Sequence, residues 1–139
     1  MKIRKFEKSD TEQVVKIWEE CGLFHSPNDP YQEIRNKSEF QPDLFLVGDI
    51  NGVPIATIMI GYEGRRGWIN SLAVLPEFRG RGYGEKLVRH ALDVLHKLGA
   101  PKVNLLIRPT NSKVRAFYEK LGFRFEDAIL MAHRFPKKK

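Results

Sequence analysis

Between an apolar run and a long amphipathic segment the chain reads Arg79-Gly80-Arg81-Gly82-Tyr83-Gly84, three glycines alternating with two arginines and a tyrosine. A helix amino terminus carries unpaired backbone N–H groups and the positive end of the helix dipole, so it binds anions when no side chain blocks the approach. Glycines remove that block. Two guanidinium groups beside bare N–H groups suit a phosphate or pyrophosphate, although a tight strand-to-helix turn that merely needs glycine reads the same way. Two other phosphate loops fit less well. A P-loop needs Gly-Lys-Ser/Thr at its end, and here Gly84 is followed by Glu85; a dinucleotide fingerprint needs Gly-x-Gly-x-x-Gly after a βαβ start, and these glycines alternate after what reads as a meander. Arginine-glycine segments that bind RNA are usually repeated and disordered, whereas this one occurs once, before a strong helix.

Other chemistry-bearing residues point to packing or solvent. Cys21 falls on the apolar face of a helical pattern and reads as a packed thiol. His25, His90, His96 and His133 have no metal-ligand spacing, so no metal is expected.

The elements around the loop follow from periodicity and punctuation. Ser9 and Glu12 have capping-box spacing, and Val14, Ile17, Trp18 and Cys21 follow at helical intervals, predicting a helix over about residues 10–21 that stops at Gly22. Asn28-Asp29-Pro30 predicts a short second helix over Tyr31–Lys37. Leu44–Asp49, the turn dipeptide Asn51-Gly52 and Val53–Tyr62 form a hairpin, and Trp68–Val74 adds a third strand after a turn. The long helix runs from about Gly82 to Leu98, with Leu87, Ala91, Val94 and Leu98 on one stripe. Lys102–Ile107 reads as a strand, Asn111 as the cap of a helix over Ser112–Leu121, Gly122 as its terminator, and Phe123–Phe125 and Ala128–Phe135 as closing strands. The result is one α+β (three-layer α/β) domain over residues 1–136, a mixed, mostly antiparallel sheet with helices on both faces, followed by the basic tail 137–139.

Composition agrees with that class. The chain has 139 residues, 42% hydrophobic and 29% charged, values ordinary for a globular protein, and 24 Lys+Arg against 17 Asp+Glu leave a net charge of +7. The excess predicts an anionic partner without saying which. Part of it is the Lys137-Lys138-Lys139 tail, read as a solvated end. No apolar run approaches the length of a membrane span, no secretory signal is visible, and a single cysteine suits a reducing cytoplasm. The basic residues do not interleave with aromatics as in nucleic-acid modules, so neither nucleic acid nor membrane is the expected partner.

The loop, preceded by Leu72-Ala73-Val74-Leu75-Pro76-Glu77-Phe78, resembles the signature Arg/Gln-x-x-Gly-x-Gly/Ala of the GNAT superfamily of acetyl-coenzyme A dependent N-acetyltransferases. A second signature is similar to Asn111-Ser112-Lys113-Val114-Arg115-Ala116-Phe117-Tyr118-Glu119-Lys120-Leu121-Gly122-Phe123. The order of elements matches that family along essentially the whole chain, with Ile3–Phe6 resembling its first strand. Trp18-Glu19, Gly61-Tyr62 and the Pro76–Gly82 stretch look like the small bacterial YpeA-type members.

The resemblance implies direct transfer of an acetyl group from acetyl-coenzyme A to an amine, without an acyl-enzyme. It leaves the amine open as a small molecule, an amino acid or a protein amine, and the protein open as a monomer or homodimer. The resemblance assigns the pyrophosphate to the N–H groups of Arg81, Gly82, Tyr83 and Gly84, with Gly80 in the loop and Arg79 at its entrance. It assigns the pantetheine arm to the backbone of Leu72, Ala73 and Val74, with an N–H near Leu72 polarising the thioester carbonyl. Asn111, Lys113, Phe117 and Tyr118 join the cofactor-binding set, and Tyr118 is the implied acid for the departing thiolate; packing alone would also place it there. The family's glutamate positions hold Trp68 and Leu106 here, which leaves Glu63 and Asp49 as candidate bases, acting through water, with Glu77 a structural carboxylate. Acceptor selectivity is expected from about Leu23–Gln41. A non-catalytic acyl-coenzyme A sensor is the alternative.

Overall fold

Three successive chain reversals build most of the sheet. The computed structural model describes residues 1–23 and 29–136, so Phe24, His25, Asn28 and the lysine tail lie outside the described residues. The chain divides into two compact units, Met1–Leu106 and Ile107–Lys139.

In the first unit, β1 (Lys2–Lys5), β2 (Phe45–Ile50), β3 (Val53–Tyr62), β4 (Gly67–Val74) and β5 (Val103–Asn104) lie in that order, with antiparallel pairing up to β4 and parallel pairing of β4 with β5. The expected hairpin turn is present, Asn51 and Gly52 both in the left-handed region at φ 52° and 85°. The helices are α1 (Thr11–Glu20), α2 (Pro30–Glu39) and α3 (Tyr83–Lys97). β3 is buried at every position from Pro54 to Ile60, so both of its faces are covered. α1 contributes Val14, Val15, Ile17 and Trp18 to the core, and α3 contributes Leu87, Val88, Ala91 and Leu95. None of the described helices is long and apolar enough to cross a membrane.

The chain start is locked by charge. Arg4 on β1 grips Asp10 with two guanidinium nitrogens, at 2.8 and 3.0 Å, and donates from Nε to Asp49 of β2 at 2.7 Å. Burial pushes the Asp10 carboxyl up, but the bonds from Arg4 and from the Glu7 N–H outweigh it and leave the group below its ordinary value. Hydrogen bonding from Arg4 likewise holds Asp49 low. This arrangement displaces the expected cap: Glu7 and Asp10, not Ser9 and Glu12, form the capping box, over a short 3-10 turn at Lys8–Asp10. α2 begins as predicted, the Asp29 side chain accepting from the Tyr31 N–H at 2.9 Å with Pro30 at the first turn, but it runs to Glu39.

β3 outruns β2. Their pairing ends at Phe45 opposite Met59, and the overhang is met by side chains: Lys37 donates to the Ile60 carbonyl, and the Gln41 amide donates to the Tyr62 carbonyl at 2.6 Å while accepting the Tyr62 N–H at 3.1 Å. Gln41 does this from a left-handed backbone, φ 54°.

In the second unit, α4 (Ser112–Lys120) is capped by Asn111, whose Oδ1 accepts the Val114 N–H at 3.3 Å. The predicted strands Phe123–Phe125 and Ala128–Phe135 do not form, and the strand expected over Lys102–Ile107 shortens to Val103–Asn104. A strand exists only by pairing, and residues 123–136 join no ladder; Phe123 is half-buried, but the large apolar side chains beyond it stay exposed, Ile129 at 90% and Met131 at 88%.

Candidate active site

At the end of β4 the chain crosses a 3-10 turn, Pro76–Phe78, and enters the glycine loop. Gly80 and Gly82 adopt φ 80° and 79°, and a Cβ built on either meets nothing within 4 Å. Open space is present, so the glycines serve the backbone conformation: a left-handed residue with a side chain costs roughly 1–2 kcal/mol. Gly82 is the N-cap of α3, and Tyr83 and Gly84 occupy its first turn. The backbone N–H groups there have no partner within the helix. Arg81 is exposed, its guanidinium lying 5.3 Å from the Phe78 ring centroid. Arg79, also exposed, folds back toward β4 and α1, Nε donating to the Val74 carbonyl at 2.9 Å and Nη2 to the Cys21 sulfur at 3.4 Å. Cys21 donates in turn to the same carbonyl at 3.4 Å, so the thiol packs at the junction of α1 and β4.

β4 itself is irregular. Thr57 pairs with Ala73 and Met59 with Asn70, so Ile58 of β3 faces two residues, Ser71 and Leu72. Ser71 is left-handed, φ 51°, and its carbonyl accepts from the Thr57 hydroxyl at 2.9 Å; the Trp18 indole N–H donates to the same hydroxyl at 2.9 Å. On the other side β4 is paired with β5 at Gly67 and Trp68, and among the described residues Ile69–Val74 have no strand partner there. Leu72 and Val74 are partly exposed and Ala73 is buried. Nothing in the types Asn70-Ser71-Leu72 announces this bulge, and Thr57 and Trp18 read as ordinary core positions.

The second unit carries Asn111, Lys113, Phe117 and Tyr118. Asn111 and Lys113 are exposed and Phe117 is partly buried. Tyr118 is 7% exposed, edge-on to the rings of Phe117 and Phe123 at 5.0 and 5.3 Å, and burial pushes its phenol up to about 12.

Of the candidate bases, Asp49 is occupied: Arg4 takes one oxygen and the Gly52 N–H the other, at 2.7 Å each. Glu63 is exposed and ion-paired with Arg65 at 3.2 Å. It follows Tyr62, the partner of Gly67. At about 3.3 Å per residue the stretch from Gly67 to Leu72 is roughly 16 Å, so the structure does not bring Glu63 to the bulge. Trp68 is partly buried and Leu106 exposed, and neither titrates. A separate cavity of about 580 Å³, with Phe6, Tyr31, Ile34 and Phe45 in its wall, shares no residue with the loop or β4.

A mixed sheet interrupted by a bulge in β4, with an anion-ready glycine loop leading into α3, defines an acyltransferase architecture. The chain belongs to the Acetyltransferase (GNAT) family, which matches residues 11–123, and is an acetyltransferase. An acetyltransferase of Yersinia enterocolitica is 40% identical over 134 residues, covering 96% of this chain and 95% of that protein. One from Sodalis glossinidius is 40% identical over 131 residues, covering 94% and 92%. Among solved structures, a putative acetyltransferase from Agrobacterium tumefaciens superposes with TM-score 0.76 at 27% identity, covering 96% of this chain and all of that one. The PaiA N-acetyltransferase from Thermoplasma acidophilum, solved in complex with coenzyme A, shares the fold with TM-score 0.78 at 22% identity, each chain covered to 92%.

Proposed function

We propose that the protein transfers the acetyl group of acetyl-coenzyme A directly to an amine, both substrates being held together. The observation that carries the donor assignment is the left-handed pair Gly80 and Gly82 at the start of α3, which exposes backbone N–H groups to an anion with Arg81 beside them. A structural neighbour with the same fold binds coenzyme A, which supports the same assignment. Acetyl-coenzyme A brings an activated thioester and a pyrophosphate. On this reading Arg81, Gly82, Tyr83 and Gly84 bind the pyrophosphate through their N–H groups, and Arg79 and Gly80 shape the loop entrance. Leu72, Ala73 and Val74 pair their backbone with the amide-bearing arm, on the β4 edge that no strand of the described residues occupies beyond Trp68. The Leu72 N–H polarises the thioester carbonyl, a role in which one lost donor typically costs ~2.7–4 kcal/mol.

Asn111, Lys113 and Phe117 complete the binding of the arm, and Tyr118 gives its proton to the departing sulfur. A phenol pushed up to about 12 is fully protonated at neutral pH, as a donor must be. Glu63, ion-paired and distant along the ladder, takes up protons from the amine only through intervening water. The acceptor is selected by residues of the Leu23–Gln41 stretch. Calorimetric titration with coenzyme A, followed by free-thiol release from acetyl-coenzyme A across a panel of amines, tests the reading. Binding with amine-dependent release is expected. Binding without release on any amine favours a sensor, and absence of binding removes the donor assignment.

A further inference from the structure

In a planar trans peptide the C=O of one residue and the N–H of the next point in opposite directions. The Ser71 carbonyl is held toward β3 by the Thr57 hydroxyl at 2.9 Å. The Leu72 N–H belongs to the same peptide and is therefore aimed away from β3, toward the edge of β4 that has no strand partner among the described residues beyond Trp68. The direction of each bond is fixed by the groups themselves: an indole nitrogen only donates and a carbonyl only accepts, so the hydroxyl takes the Trp18 proton and gives its own to Ser71. Thr57 and Trp18 are both at 0% exposure, so water does not compete for these bonds. Trp18 is itself held by stacking on Phe45, ring centroids 6.0 Å apart.

We infer that Trp18 and Thr57 are positioning residues for acetyl transfer: their hydrogen-bonded relay, from α1 through β3 into the bulge of β4, orients the Ser71–Leu72 peptide so that the Leu72 N–H meets the thioester carbonyl. The inference rests on the function proposed above. Ser71 holds a backbone conformation that a serine does not favour, φ 51°, and the hydroxyl bond is what retains it. Without that bond the peptide is free to rotate back toward regular strand geometry, taking the N–H off target while leaving the glycine loop untouched.

Thr57→Val keeps shape and burial and deletes the hydroxyl; Thr57→Ser keeps the hydroxyl. Calorimetry with coenzyme A, which keeps the pyrophosphate and the arm but lacks the acetyl group, reads binding without the thioester carbonyl. Infrared difference spectra of bound acetyl-coenzyme A, carbon-13 labelled at the carbonyl, read polarisation. Both variants are expected to bind coenzyme A like the unaltered protein. The carbonyl stretch is lowered in the unaltered protein and in Thr57→Ser, and the lowering is lost in Thr57→Val. In that variant kcat for the best amine falls about tenfold with KM for acetyl-coenzyme A unchanged, a fraction of the ~10²–10³ lost when such a donor is removed outright. Should Thr57→Val fail to fold, Trp18→Phe deletes only the outer donor and shifts the carbonyl band in the same direction by less. An unchanged band in whichever variant folds overturns the relay. Failure of the unaltered protein to bind coenzyme A overturns the functional reading instead.

Discussion

Arg79 donates from Nε to the carbonyl of Val74 at 2.9 Å, so the first arginine of the loop is tied back to the strand the chain has just left. Arg81 lies over Phe78, its only hydrogen bond among those of the described residues a long one of 3.5 Å from Nη2 to the Glu77 carbonyl. The two guanidinium groups therefore do different work.

Arg79→Ala is expected to lower thermal stability by about 1 kcal/mol through the lost bond to a backbone carbonyl. Arg81→Ala is expected to lower the melting temperature less than Arg79→Ala, its bond to the Glu77 carbonyl being 3.5 Å long, and to weaken coenzyme A roughly tenfold through loss of a charge-assisted contact to phosphate. Differential scanning fluorimetry with and without coenzyme A separates them, and equal effects of both substitutions would contradict the division.

Gly82 at φ 79° sets the entry into α3. Gly82→Ala is expected to cost roughly 1–2 kcal/mol from backbone strain, not from crowding, since nothing lies within 4 Å of the added carbon. Coenzyme A affinity should fall with it. Chemical denaturation gives the first quantity and calorimetry the second.

Tyr118 makes two predictions from one cause. Burial raises the folded phenol to about 12 from an unfolded value of 10, so its contribution to stability is whole below pH 10 and declines as pH rises from there toward 12. Tyr118→Phe should remove that alkaline component, worth about 2–3 kcal/mol at the two-unit difference. If the phenol is also the acid, the same variant lowers kcat by ~10²-fold or more at saturating amine. A variant that loses only the alkaline component assigns Tyr118 to packing.

Asp10 and Asp49 titrate below their ordinary carboxylate values in the folded protein. Their stabilisation is complete above the unfolded value, about pH 4, and is lost as pH falls through the lower native values. Asp10→Asn should cost about 2 kcal/mol at pH 7, the scale of a hydrogen bond to a charged group. It should also flatten the acid limb of the pH–stability curve. A curve parallel to that of the unaltered protein would remove Asp10 from the acid response.

Glu63→Gln should change kcat far less than the ~10²-fold expected of a direct general base, because the carboxylate is exposed, ion-paired and distant along the ladder from Leu72. A pH–rate profile before and after the substitution checks this, and loss of an acid-side inflection would restore Glu63 as base.

The features legible in the sequence were local ones. Asn51-Gly52 specifies its turn through backbone preferences, and Gly80 and Gly82 do the same for the loop, so both appear where expected. Asn111 caps α4 because its oxygen needs only the amide of a near neighbour. The features that were not legible depend on partners far along the chain. Arg4 reaches Asp49, Trp18 reaches Thr57, and the left-handed Ser71 offers its carbonyl to a hydroxyl on another strand. The same reason explains the missing closing strands. Phe123–Phe125 and Ala128–Phe135 have strand-forming composition, but composition supplies no neighbour.

The amide of Gln41 engages both the N–H and the C=O of Tyr62, and Lys37 takes the Ile60 carbonyl. A row of open peptide groups is what lets one molecule's sheet grow onto another's, and here the row is stoppered by the protein's own side chains. A glutamine in a strained conformation thus acts as a guard on colloidal behaviour: it mimics the next strand and so denies that place to a neighbouring molecule.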